Sequence, residues 1–183
     1  ERLAASAYAP QVANLQRAGW ACLCACACLS AHAASNEGFS ARLVLKDGRQ
    51  YQCLVLGCAS GMVSTVRPFG ADTVRERYRL DAVDALQAPC PPCVTQAVPL
   101  GAALELALAA TAAECARWKP FNGVKGSWYP QCALAYARLL ERAGRVADAL
   151  ALFRQLERVP ALEGNADAMA VRIAVLSWRV TAS

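Results

Sequence analysis

From Phe39 onward the apolar positions alternate. Phe39, Ala41, Leu43 and Leu45 recur every second residue, with Ser40, Arg42 and Lys46 on the opposite parity, a period that predicts a half-buried strand. Asp47-Gly48 ends it with a hairpin signal. Further strands are predicted over 50–56, 62–67 and 73–80, with a short fifth over 81–86. Gly57-Cys58-Ala59-Ser60-Gly61 and Pro68-Phe69-Gly70 are read as the intervening turns. Short strands and glycine turns packed into about fifty residues suit a small, strongly bent antiparallel barrel, because closure or near closure hides the edges of so small a sheet.

Residues 88–99, APCPPCVTQAVP, are proline-rich and predict a linker between domains, after which the period becomes helical. An alanine-rich helix is expected over 100–118, with Leu104 and Leu108 on one side and Glu105 on the other. The connection 119–127 is long and carries Pro120, Gly123 and Gly126. Ser127 is placed to cap the next helix, and Pro130 fits its first turn. Over 132–160, Tyr136, Leu139, Leu140 and Ala143 and then Val146, Ala149, Leu150, Phe153 and Leu156 form two amphipathic faces meeting at Gly144, a helical hairpin. A last helix follows Asn165. Met169, Ile173, Leu176 and Val180 give it one apolar face and Val171, Val175 and Trp178 a second, so it expects neighbours on two sides.

Two resemblances follow from these residues. Ala137, Gly144, Ala149, Phe153 and Pro160 make the hairpin resemble one tetratricopeptide repeat, with Ala133, Tyr136-Ala137 and Leu156 departing from the usual pattern. Leu43-x-Leu45-x-Asp47-Gly48-Arg49, then Gly57, Gly61-x-Val63 and the close at Val83 and Leu86 look like SH3-like or Sm-like small barrels. Together they imply an α+β chain: a barrel over 37–87, a linker over 88–99, and a tetratricopeptide-like helical array over 100–183. The resemblance to the repeat implies a concave helical surface that binds a protein or peptide. A first residue of Glu1 and a last helix with an unpartnered face lead us to expect a fragment, incomplete at its helical end.

Composition adds a setting. Apolar residues make up 56 % of the 183 and charged residues 18 %, which excludes a disordered chain. The net charge of +5 is too small to argue for nucleic acid by itself. Within 1–33, Arg17, the apolar run WACLCACACL at 20–29 and the small-x-small triplet Ala31-His32-Ala33 are the three parts of a secretory signal, cleaved after Ala33. The run is too short to span a bilayer, and Glu105 interrupts the helix 100–118, so no transmembrane span is expected. An exported protein of the periplasm or cell envelope is therefore expected. Cys22, Cys24, Cys26 and Cys28 alternate within the run, with a soft metal as the competing reading. Leu23-Cys24-Ala25-Cys26 loosely resembles a lipoprotein box, with Cys26 as the lipidated residue.

The candidate chemistry is sparse. The one histidine, His32, lies in the segment expected to be removed, which excludes Ser-His-Asp and Cys-His mechanisms. There is no phosphate-binding glycine loop. Asp81 and Asp84 are the nearest approach to a carboxylate pair and point to different faces. Neither an enzyme nor a cofactor is expected. Cys90-Pro91-Pro92-Cys93 has the spacing of a redox pair, though the prolines delay the helix that would activate it; a local disulfide, inert thiols, and zinc with Cys115 and Cys132 stand beside that reading. Trp118, Phe121, Trp128 and Tyr129 surround the loop 119–127, either as a partner-binding surface or as anchors packed on neighbouring helices. Arg75, Arg77 and Arg79 share one strand face. They read chiefly as a solvated edge and alternatively as an RNA contact in a cytosolic protein.

Overall fold

A computed structural model of the chain describes residues 38–182. The expected signal through Ala33, the alternating cysteines and the lipid site at Cys26 lie outside the described residues. From Gly38 onward the chain is one compact unit of the α+β class, with the proline-rich stretch inside it.

Five strands form one antiparallel sheet: β1 Phe39–Leu45, β2 Gln50–Ala59, β3 Met62–Phe69, β4 Asp72–Arg79 and β5 Val83–Gln87, in the order β4-β3-β2-β1-β5. The expected barrel is not closed. β1 uses its two edges on β2 and β5, and β4 and β5 are left as the sheet's outer strands. Alternation selects the inner face as predicted, with Ala41, Leu43, Leu45, Cys53, Val55, Val63, Val83 and Leu86 all buried. Two expected turns are absorbed into strands. The glycine at 57 makes a bulge in the β2–β3 ladder, which lets β2 continue to Ala59 and moves the turn to Ser60-Gly61. Pro68 stays within β3 because the β2 ladder ends at Val66, so its missing N–H faces no strand.

The prolines at 91 and 92 do not delay helix formation as far as expected. Pro92 occupies the first helical position, where no N–H is needed, and opens a single turn, α1 Pro92–Thr95. α2 Ala102–Trp118, α3 Tyr129–Arg142, α4 Val146–Leu156 and α5 Ala166–Thr181 follow, and from α2 each packs on the next. Ser127 is not the cap expected: Trp128 stands at the N-cap of α3 without a side-chain capping bond, and Ser127 Oγ, one residue earlier, accepts the Tyr129 N–H at 3.3 Å. Asn165 stands at the N-cap of α5 but makes no side-chain capping bond. The turn between α3 and α4 needs a left-handed residue, which Gly144 supplies at φ 76°.

Two cores result. One lies among the helices, around Ala137, Leu140, Phe153 and Leu176. The other lies under the sheet and is completed by Trp118, Phe121 and Cys132, which come from the helical half of the sequence. Cys115 and Tyr129 pack against both. The free edge of β5 is partly covered by the loop after α2: Leu86 N donates to Lys125 O at 2.8 Å, and Ala85 bridges Lys125 in parallel. Gly126 makes this approach feasible, since an added Cβ would sit 2.1 Å from Leu86 O.

Candidate functional site

All four aromatics of the loop pack on the core under the sheet, Trp118 and Phe121 within it and Trp128 and Tyr129 against it. Trp118 ends α2 and Phe121 ends the 3-10 turn Lys119–Phe121. Phe39 of β1 meets both, with ring centroids 4.4 Å from Trp118 and 6.0 Å from Phe121. Trp118 is 2 % exposed and Phe121 not at all, so the expectation of a partner surface gives way at these two residues to a hydrophobic lid on the sheet. Trp128 is half-buried, with Nε1 donating to Ala88 O at 3.1 Å. Tyr129 is also half-buried, and burial raises its hydroxyl pKa.

On the sheet, Arg75, Arg77 and Arg79 are exposed along one face of β4, as their alternation predicts. Arg79 is committed to Asp81 through a two-pronged ion pair. The opposite face of β4 carries a denser network. Arg67 donates to both Glu76 oxygens at 2.8 Å and lies over the rings of Tyr51 and Phe69, and the Tyr78 hydroxyl also donates to Glu76. These bonds, Arg67 first and Tyr78 second, lower the Glu76 carboxyl to about 2. The network ties β3 to β4, and its ion pair is internal.

The two cysteines of the Cys-x-x-Cys motif are not partners. Cys90 is exposed and its thiol contacts Pro91 O at 3.7 Å. Cys93, half-buried in α1, instead meets the buried Cys132 of α3, sulfur to sulfur at 3.7 Å. No cluster of three or more His, Cys, Asp or Glu among the described residues is arranged to hold a metal ion, and Cys115 and Cys132 do not combine with the motif into a zinc site.

A second positive surface lies on the helices. Arg138 and Arg142, one turn apart on α3, and Arg172 and Arg179, seven apart on α5, line one groove of about 410 Å³ with Glu141 and Val98. Glu141 is already paired with Arg172. Arg138, Arg142 and Arg179 are exposed and have no carboxylate partner among the described residues. Beside this groove α5 presents Val171, Val175 and Trp178, which are 64 %, 50 % and 70 % exposed. The second apolar face predicted for the last helix is thus present and open; Val180, expected on the first face, is itself 40 % exposed.

No protein-family model, curated protein or solved structure matches this chain.

The functional geometry therefore rests on the chain's own residues. The periodicity of Val171, Val175 and Trp178 made the apolar face readable. The arginine groove was missed because Arg138 and Arg142 look like an ordinary solvated helix face until α5 is folded beside them. No helix among the described residues is long and apolar enough to cross a membrane.

Proposed function

We propose that this is a non-enzymatic binding protein that takes up an acidic amphipathic helix of a partner protein along α5 and the groove between α5 and α3. The observation that carries the reading is four guanidinium groups around one groove with, among the described residues, a single carboxylate, which is already engaged. Clustered arginines repel one another and are relieved by an anionic ligand; planar guanidinium groups suit carboxylates that arrive in pairs. The adjoining strip of Val171, Val175 and Trp178 suits the apolar face of the same incoming helix.

The consecutive packing of α2, α3, α4 and α5 supports a tetratricopeptide-like array, in which the outer helix accepts a further helix. The cell-envelope setting rests on the sequence at 17–33, where a charged flank, an apolar run and Ala31-His32-Ala33 support export. An intact mass from the native cell lacking residues 1–33 is the expected result, and retention of those residues would refute export.

Binding is tested with two labelled helical peptides of equal length, one carrying leucine at i, i+3, i+4 and i+7 with glutamate on its flanks, the other with lysine in place of glutamate. The acidic peptide should bind with an affinity that falls as salt rises. Combined Arg138→Glu and Arg142→Glu substitution should weaken it by about 10–100-fold. Equal affinity for both peptides, no binding of the acidic one, or indifference to the charge reversal would each refute the proposal.

A further inference from the structure

We infer that Cys93 and Cys132 are a disulfide-forming pair, with Cys93 as the entry thiol, and that their bond staples the proline-rich segment onto α3. The inference is independent of the binding groove. It also departs from the sequence motif, which pairs Cys93 with Cys90.

Position comes first. The two sulfurs are in van der Waals contact at 3.7 Å across 39 residues of sequence, and bond formation requires them to close by about 1.7 Å. Cys93 lies in a one-turn helix bounded by Pro91 and Gln96, while Cys132 is fixed in the first turns of α3, so the adjustment falls on the shorter element. Accessibility is divided between them: Cys93 is half-buried, and Cys132 is not exposed at all. An outside disulfide can therefore be attacked by Cys93 and not by Cys132. Cys90, though exposed, is turned to the Pro91 carbonyl.

The electrostatics agree with that order. The hydrogen bond between the two thiols lowers the Cys93 pKa against the opposing effect of burial, so Cys93 is the favoured thiolate of the pair. Cys132 is raised, first by that same bond with Cys93 and then by burial, which keeps it protonated while Cys93 is free. Cys115, the neighbouring third thiol, is pushed up to about 12, chiefly by burial, and is a poor competitor at neutral pH.

The reaction is a two-electron thiol–disulfide exchange with a small-molecule or protein disulfide, RSSR. The Cys93 thiolate attacks one sulfur of RSSR, the S–S bond breaks, and RS⁻ leaves, giving a Cys93–SR mixed disulfide. With the Cys93 charge gone, the main influence holding the proton on Cys132 is removed. Cys132 releases that proton to RS⁻, its thiolate attacks the Cys93 sulfur, and the second RS⁻ leaves and is protonated from solvent. Two cysteine thiols are oxidised and RSSR is reduced to two RSH.

The full chain is reduced, equilibrated with mixtures of oxidised and reduced glutathione, alkylated at its free thiols and digested with trypsin and a glutamate-specific protease. Cleavage at Glu105 and Glu114 separates Cys93 from Cys115. A linked Cys93–Cys132 peptide should dominate in the wild type and in Cys90→Ser and be absent from Cys93→Ser. The oxidised wild type should melt about 5–10 °C above the reduced protein, a shift that Cys93→Ser should lose. A dominant Cys90–Cys93 or Cys93–Cys115 bond, a bond from Cys93 to Cys22, Cys24, Cys26 or Cys28, or no linked peptide under native conditions would overturn the assignment. So would equal melting of the oxidised and reduced wild type. Cys90 and Cys93 share the peptide 80–105, so fragment-ion sequencing of the linked wild-type peptide places the bond on Cys93 or Cys90 even where a variant fails to fold, and a Cys90–Cys132 bond would also overturn the assignment.

Discussion

Replacing Phe121 by alanine tests whether the ring-bearing loop belongs to the core or to a binding surface. The side chain has no exposed area, and its ring meets Phe39 at 6.0 Å and Trp118 at 6.2 Å, both edge-on. Truncation of a buried phenylalanine costs about 3–5 kcal/mol through lost transfer energy and the cavity left behind. Loss of two favourable ring contacts, worth about 0.5–1.5 kcal/mol each beyond area, puts the expectation near the upper end, about 4–5 kcal/mol. A domain of this size has roughly 5–15 kcal/mol in total, so Phe121→Leu, expected to cost about 1–2 kcal/mol, is prepared alongside to keep a measurable folded state. Trp178→Ala is the control: that ring is 70 % exposed on α5, and its removal should change stability by no more than about 0.5 kcal/mol. Urea unfolding followed by far-ultraviolet circular dichroism gives the three values, with unchanged slopes required for the comparison. A loss below about 1 kcal/mol for Phe121→Ala, or an equal loss for Trp178→Ala, would refute the assignment of the lid.

Other substitutions probe particular contacts. Gly126→Ala combines a left-handed backbone with a Cβ driven to within 2.1 Å of Leu86 O; it should cost about 2–4 kcal/mol in urea unfolding and expose the Leu86 N–H to hydrogen exchange. Gly144→Ala meets open space and only the conformational penalty, so about 1–2 kcal/mol is expected; equal losses at the two glycines would contradict the close approach at Gly126. Glu76 has a folded pKa of about 2 against an ordinary value of 4.5, so its contribution is fully present above pH 4.5 and disappears as pH falls through 2. Stability measured across that window should decline with acid in the wild type and less steeply in Glu76→Gln. Parallel profiles would show that the Arg67 pair does not shift Glu76.

Much of the fold was legible because burial here follows period. The alternation of Ala41, Leu43 and Leu45 and the helical spacing of Leu139, Leu140, Ala149 and Phe153 each mark a buried face. Two features defeated local reading. Gly57 and Pro68 carry strong turn signals, yet a bulge accommodates one and the end of the β2 ladder the other; both depend on the neighbouring strands rather than on the residue itself. The proline stretch at 88–99 reads as a boundary because nothing local reveals that Trp118, Phe121 and Cys132 return to fill the sheet. For the same reason the thiol motif suggested the adjacent Cys90, whereas the contact runs to a cysteine 39 positions away. The open face of α5 needed only the periodicity of one helix, and it was anticipated.

The dependence of the sheet on Trp118, Phe121 and Cys132 has a consequence for biosynthesis. A ribosome that has added Gln87 has delivered every strand, but the last of the residues that seal the inner face lies about 45 positions further on. At about 5–20 residues per second, the nascent chain spends about 2–9 s with Leu43, Val55 and Val63 unsealed. During that interval the five strands present a sticky, half-finished surface, the kind of segment a general chaperone holds, and only synthesis of α3 releases the chain from that need.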